Sequence, residues 1–271
     1  MLRQIKKLTN SIKRDGLIFT IRRTLAYFIA HSPLAYKASF SYINDTRLIF
    51  APSHLTYVLF ANRQERTSAS NLIIKYTPIG GTVIDVGGNI GSIAIPAGKH
   101  TGPSGKVLVF EPSPKFSKII EANIRKNNFS DIITNHAVAL GARDGTVYLN
   151  ESVADDTTNH ISNTGTLVPQ KTLDSYTNNF TTIDFLKIDV EGYEYEVLSG
   201  ATNTLSKTKC LYIEFIPSHL RRAGADPEKV LAILKNHFNI FTNDKSGLKP
   251  FTYQPDAEKN PDLLCLQKVT Q

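Results

Sequence analysis

Strand-sized apolar runs alternate with helical periods along most of this chain. TVIDV (82–86), KVLVFEP (106–112), IITNHAVAL (132–140), DFLKIDV (184–190) and CLYIEFI (210–216) are rich in β-branched and aromatic residues. Between them the apolar spacing changes to three and four. It predicts a helix over 66–77 before Pro78, one over 90–100, and one opened by Ser113-Pro114 with Phe116, Ile119, Ile120 and Ile124 on one face. EGYEYEVLSGA (191–201) and a segment from Asp226-Pro227 to residue 237 complete the helices. Short strands are expected at TVYLN (146–150), FNIFTND (238–244) and DLLCLQK (262–268), the last two flanking a turn at Ser246-Gly247. The polar stretch 151–170 shows no period and reads as a lid or substrate loop. Such alternation implies an α/β fold, a mainly parallel sheet with helices on both faces. Ligands of such sheets sit at the carboxyl ends of the strands. The informative residues are therefore Asp85 to Gly91, Glu111-Pro112, Asn135 to Ala137, Asp189 to Glu191 and Glu214 to Pro217.

At 271 residues with 41% hydrophobic content, the chain suits one sizeable domain, taken as 51–271, behind an extension, 1–50. The net charge of +7 is concentrated in that extension. Residues 1–23 hold Arg3, Lys6, Lys7, Lys13, Arg14, Arg22 and Arg23 against Asp15 alone, and the remaining residues are close to neutral. A neutral body argues against a nucleic-acid-binding face. LIFTIRRTLAYFIA is interrupted by Arg22-Arg23, so the arm reads as retained rather than as a secretory signal. Leu2, Ile5, Leu8 and Ile12, and again Ile18, Ile21, Leu25 and Phe28, recur at near-helical spacing around Gly16. The plainer expectation is a helical pair packed on the domain with its charges solvated. Peripheral contact with an anionic membrane surface, at its inner face, is the alternative. Cys210 and Cys265 lie in apolar runs without metal spacing, which suits buried thiols in a reducing, cytoplasmic setting.

IDVGGNIG (84–91) follows the first strand. Its glycines at 87, 88 and 91 do not fit G-x-G-x-x-G, and no P-loop is present. A pyrophosphate would be repelled by Asp85, whereas an amino-acid ammonium would be received by it as a charge-assisted pair. Glu111 ends the next strand 20 residues after Gly91, where such a residue accepts from ribose hydroxyls. An amino acid joined to an adenosine describes S-adenosylmethionine. Gly87 and Gly88 would let the backbone approach it, and Gly91 would let the following helix pack closely.

D-V-G-G-N-I-G, then F-E-P, then T-L-D (172–174), then K-I-D-V-E-G-Y-E (187–194) resembles the FkbM family of S-adenosylmethionine-dependent methyltransferases. The resemblance runs from about residue 54 to 268 and leaves out the basic arm. It implies a Rossmann-like class I methyltransferase sheet of seven strands, ending in an antiparallel hairpin. It also implies methyl transfer to an oxygen, often a hydroxyl on a sugar or secondary metabolite. Carried over, Asp85, Gly87, Asn89 and Gly91 would line the methionine part, Glu111 the ribose, and His136 and Ala137 the adenine edge. The family usually has Ala where this chain has Gly88, which reads as a mild change.

A sugar hydroxyl is a weak acid, so a base or a metal is expected beside it. Asp189 and Glu191 are placed by their spacing at the mouth of the fourth strand. They would serve as general base, as hydroxyl acceptors, or as ligands to a hard cation such as Mg²⁺. Glu191 has a simpler reading, as a cap of the helix after it. Lys187, in a strand between Leu186 and Ile188, needs an acidic partner if buried. His160 is the histidine candidate for a base. Asp155 and Asp156 read as exposed acids, and Asn163 shares their loop. Methylation of RNA or protein, and a non-catalytic binding module, are the competing functions. No NPPY-like or Pro-Cys motif follows the fourth strand, which speaks against base methylation.

Overall fold

The computed structural model describes residues 16–62, 67–152, 156–244, 247–255 and 262–268. The first predicted arm helix, Asp155 and Ser246 lie outside the described residues. The chain opens with α1 (Leu17–Ala30), the hairpin of β1 (Ser39–Ser41) and β2 (Arg47–Ile49), α2 (His54–Ala61) and α3 (Thr67–Tyr76). The alternating part follows: β3 (Thr82–Val86), α4 (Ala94–Thr101), β4 (Lys106–Phe110), α5 (Pro114–Lys126) and β5 (Ile133–His136). After it come β6 (Ala139–Leu140), β7 (Gly145–Asn150), β8 (His160–Ser162), β9 (Thr166–Lys171) and α6 (Asp174–Thr177). The chain then forms β10 (Ile183–Ile188), α7 (Glu194–Ser199), α8 (Thr202–Ser206) and β11 (Thr208–Ile213). It ends with α9 (Pro217–Arg222), α10 (Pro227–His237), β12 (Phe238–Asp244), β13 (Gly247–Pro250) and β14 (Leu263–Gln267).

The main sheet runs β13-β12-β14-β11-β10-β3-β4-β5. The pairs from β11 through β10, β3 and β4 to β5 are parallel, and β14, β12 and β13 join antiparallel. The expected seven strands are present, and β13 adds an eighth at the edge. Helix starts follow the predicted chemistry. Ser113 Oγ accepts from Phe116 N with Pro114 in the first turn, and Asp226 accepts from Glu228 N with Pro227 behind it.

Two expectations change. The run 132–140 divides, because Val138 N–H bonds back to His136 O at 2.9 Å and sends the chain into a second sheet. That sheet is ordered β6-β9-β7-β8. Its strands β8 and β9 take up eight of the twenty residues in the stretch expected to be a loop. The period of β9 is hidden because one of its inward residues is polar: Val168 and Gln170 are buried together. Gln170 is satisfied there, donating to Arg143 O at 2.7 Å and accepting from Tyr193 Oη at 2.9 Å.

Two apolar layers sandwich the main sheet. On one face Val83, Val107, Val109, Phe185 and Cys210 pack with α4, α5 and the N-terminal elements, including Phe40, Leu48, Ile49, Leu55 and Leu59. On the other, Ile84, Val86, Leu108, Phe110, Leu186, Ile188 and Cys265 pack against α7, α8 and α10. The two cysteines are buried, free and in opposite layers, as expected of packing thiols. The N-terminal core residues share one layer with the sheet, so packing does not divide at residue 50.

α1 reverses the expected orientation. Thr20, Ala26 and Ala30 are its buried residues, and it packs chiefly on α2. Its predicted apolar face of Ile18, Ile21, Leu25 and Phe28 is exposed. Small side chains let the helix backbone come close to α2, Ile29 and Tyr27 pack partly on the domain, and the four residues of that face are left outside.

Strand alternation puts Asp85 and Lys187 on one face, and register sets them opposite each other in β3 and β10. Lys187 Nζ lies 3.1 Å from Asp85 Oδ1 and 3.5 Å from Asp189 Oδ2. It also donates to Gly87 O at 2.8 Å. Lysine in this buried strand therefore has the acidic partners it needs, Asp85 and Asp189. Removing charge from Asp85 leaves Lys187 undercompensated in a site where both side chains are almost fully buried. Asp85→Asn is expected to cost about 3 kcal/mol in urea unfolding; a loss well under about 1 kcal/mol would show the pair to be unimportant to the fold.

Candidate active site

A cavity of about 1000 Å³, including the part open to solvent, lies over the carboxyl ends of β3, β4, β10 and β11. Part of its wall is built from the turn after β3. Gly87 has φ +79°, and a Cβ on it would lie 1.9 Å from Asp189 O, so the ends of β3 and β10 meet through a missing side chain. A Cβ on Gly88 would lie 2.3 Å from Val109 Cγ1. An alanine there is not a mild change in this chain, because the stiff valine would have to move. Close packing thus belongs to Gly88. Gly91, at φ +82°, serves the turn: a Cβ there would make only ordinary contacts, and the residue is outside the cavity wall.

Asn89 has left-handed backbone at φ 48° and faces the cavity. Its N–H donates to Glu111 Oε2 at 2.8 Å, and Ser113 N–H donates to Glu111 Oε1 at 2.9 Å. Burial pushes the Glu111 carboxyl up to about 7, against the two N–H groups that favour its charge. Glu111 lines the wall as expected.

Besides Gly91, three expected cofactor contacts are elsewhere. Asp85 is fully buried beneath the wall and committed to Lys187, and Lys187 and Asp189 stand in the lining instead. His136 stacks on Phe110 with centroids 4.9 Å apart and leans on Tyr176 at 4.6 Å. Burial lowers its pKa. Ala137 is exposed. The turn after β5 carries both away, and Val138, Ala139 and Leu140 take their place in the wall.

The cavity wall carries further acids. Asp189, Glu191, Glu214 and His160 all line it. His160 Nδ1 lies 3.1 Å from Thr158 O, so that nitrogen is the N–H donor and Nε2 carries the lone pair of the neutral ring. Glu191 holds a left-handed backbone, φ 56°, and its Oε2 lies 3.2 Å from His219 Nδ1. Burial, with Arg222 and His160 nearby, lowers the His219 pKa, and the contact with Glu191 is one of ion-pair distance rather than an aligned hydrogen bond. Glu214 is pushed up to about 9 by burial and by the charges of Asp189, Glu191 and Glu194. Among the described residues, Glu191, Glu214 and His219 form a group able to hold a metal ion, with ligand atoms within 4.8 Å of one another.

Several contributors carried no sequence signal. Asp156 is 8% exposed rather than a surface acid. Both its oxygens accept from His54 N at 3.0 Å, Lys115 pairs with it at 3.4 Å, and it closes the cavity over Asn89. Asn163 is exposed and away from the cavity. Glu194, not Glu191, holds the turn before α7: its Oε1 accepts from Val190 N at 3.1 Å and Gly192 N at 3.2 Å.

Burial raises Glu194 from 4.5 to about 7. Its folded pKa exceeds its unfolded one, so the folded chain holds this proton more tightly and stability falls as pH rises between them. Glu194→Gln keeps an acceptor for the two N–H groups and removes the charge. It is expected to stabilise the fold by about 2 kcal/mol near pH 8 and by nothing at about pH 4. Urea unfolding at both values checks it; an equal effect at both would refute the charge argument.

The sequence matches the Methyltransferase FkbM domain over residues 85–241. Methyltransferase 1 of Beauveria bassiana (strain ARSEF 2860) is 28% identical over 144 residues, 44% of this chain and 57% of that protein. The match therefore spans little more than half of the relative's length. Among solved structures, an S-adenosylmethionine-dependent O-methyltransferase from Thermotoga maritima has a TM-score of 0.45 at 15% identity, over 76% of this chain and 66% of its own. A proposed rRNA-methylase from Clostridium thermocellum reaches 0.49 at 12% identity, over 76% and 96% of the two chains. The O-methyltransferase TomG from Streptomyces achromogenes, in complex with S-adenosylmethionine, reaches 0.46 at 9% identity, over 77% and 81%. No helix among the described residues is long and apolar enough to cross a membrane. The matched span covers more than half of the chain and takes in the glycine turn, Glu111 and the acids behind β10 and β11, which makes this chain a member of the FkbM methyltransferase family.

Proposed function

We propose that the cavity holds S-adenosylmethionine and that the chain moves a methyl group to a hydroxyl oxygen of a sugar, glycan or secondary metabolite. The observation that carries this reading is one cavity whose wall holds the glycine turn and Glu111 together with Asp189, Glu191 and His160. The glycine turn and Glu111 fit the donor. Glu111 has each oxygen fixed by one backbone N–H, which leaves lone pairs for the two ribose hydroxyls. Val138, Ala139, Leu140 and Phe116 give an apolar wall for a purine. Gly87 and Gly88 present bare backbone to the methionine part, and Asn89 lies beside them in the wall.

When bound, the donor supplies an electrophilic methyl on a sulfonium, already a good leaving group. What remains for the chain is to hold the acceptor oxygen in line and to take its proton. Asp189, kept in place by Lys187, and Glu191, kept in place by His219, accept hydrogen bonds from the acceptor. His160 takes the proton at Nε2. Positioning of this kind supplies several kcal/mol, and a general base about 10²–10⁴-fold in rate.

Calorimetry with S-adenosylmethionine, S-adenosylhomocysteine and NAD tests the cofactor. The first two are expected to bind; binding of NAD alone would overturn the reading. His160→Gln is expected to keep donor affinity and to lose about 10²-fold in labelled methyl transfer to a panel of glycosides and hydroxylated metabolites. Transfer to RNA or protein but to none of the panel would overturn the acceptor class. Full transfer by His160→Gln and Asp189→Asn would remove both residues from the chemistry.

A second reading is favoured by Glu191, Glu214 and His219, placed within ligand distance of a shared ion. Two carboxylates and an imidazole suit Mn²⁺, Fe²⁺ or Zn²⁺ better than the Mg²⁺ that the acids alone suggest. It predicts that a chelator abolishes transfer and that Mn²⁺ restores it. Unchanged transfer in chelator leaves the histidine route.

A further inference from the structure

We propose that α1 docks this protein on an anionic lipid surface. The helix is held to the domain by Thr20, Ala26 and Ala30, with Ile29 on the core and Tyr27 against Tyr57. On its outer side Ile18, Ile21, Leu25 and Phe28 are 70%, 57%, 50% and 65% exposed. At about 100° per residue these four fall within an arc of about 80°. Four large apolar side chains in one stripe, turned away from the core, form the kind of patch that soluble surfaces avoid unless something covers it.

Charge decides what covers it. From Gly16 to Ala38 the chain has Arg22, Arg23 and Lys37 and no acidic residue. The preceding segment adds Arg3, Lys6, Lys7, Lys13 and Arg14 against Asp15 alone. The chain leaving α1 exposes Leu34 and Tyr36, at 56% and 46%. Tyr36 borders a shallow groove whose charged residues are Lys37, Lys118, Arg125 and Lys126. Arg125 has Glu121 at 3.9 Å as an exposed partner. A second copy of this chain docked through the same helix would bring like-charged, acid-free segments together, which is repulsive. A bilayer with anionic headgroups meets both features together. Apolar side chains enter the acyl boundary while Lys and Arg stay among the phosphates, the arrangement of a helix lying in the interface.

Flotation of the full chain with vesicles tests this without methyl donor or acceptor, so its failure leaves the proposed function untouched. The vesicles are phosphatidylcholine alone, or phosphatidylcholine with about a third phosphatidylglycerol. The chain is expected to float with the anionic vesicles, not with the neutral ones, and to be released by high salt. Ile21→Glu with Phe28→Glu changes two exposed side chains, so the thermal melt should not move, while vesicle binding should fall about tenfold or more. Absence of binding, equal binding to neutral vesicles, or undiminished binding by the double variant would overturn the proposal. So would a wild-type dimer that the double variant dissolves, since a second copy would then be the cover.

Discussion

One lysine ammonium ties the sheet to the cavity. Lys187 stands in β10 opposite Asp85 of β3, and its Nζ reaches Asp85, Asp189 and the carbonyl of Gly87 together. A cation in that position is stable only because two carboxylates and a carbonyl replace its water. The same contacts fix the end of β3, the end of β10 and the glycine turn relative to one another. Gly87 completes the junction, since any side chain there would strike the backbone of Asp189. The cavity floor is therefore a consequence of sheet register as much as of any ligand-facing residue.

Around this junction the chain tolerates carboxyls that burial disfavours. Glu111 and Glu194 are each raised to about 7, and Glu214 to about 9. Each is destabilising as a charged group in the folded state, and two of them line the cavity. Concentration of such groups at one place is what sites of chemistry or ligand binding look like electrostatically. Glu194 is the exception that shows a structural use, because its carboxyl holds the turn that presents Glu191 in a left-handed backbone.

Much of this was readable in residue order. Strand periods located β3, β4, β10 and β11, and Ser113-Pro114 and Asp226-Pro227 marked two helix starts, because those signals depend on neighbours in sequence. Glu111, Asn89, Asp189, Glu191 and His160 were singled out for standing after strands or in an aperiodic stretch, and all five reach the cavity. Asp156, Glu194 and His219 were not, because nothing local marks them. Asp156 is buried only by meeting the first turn of α2, 102 residues away in sequence, and His219 matters only through Glu191. His136 and Ala137 were misplaced by a single hydrogen bond that turns the chain after β5.

The sequence by itself determined the strand-and-helix alternation, the family, and the acid-bearing strand ends, since each is written in local period and short motifs. Only the tertiary structure decided which carboxylate faces a ligand and which faces a lysine, because Asp85 and Asp189 differ by register across the sheet rather than by surroundings in sequence. It also decided which way α1 points. A helical period reveals that one side is apolar, but the side that meets the domain is chosen by fit, and small residues fit α2 more closely than large ones.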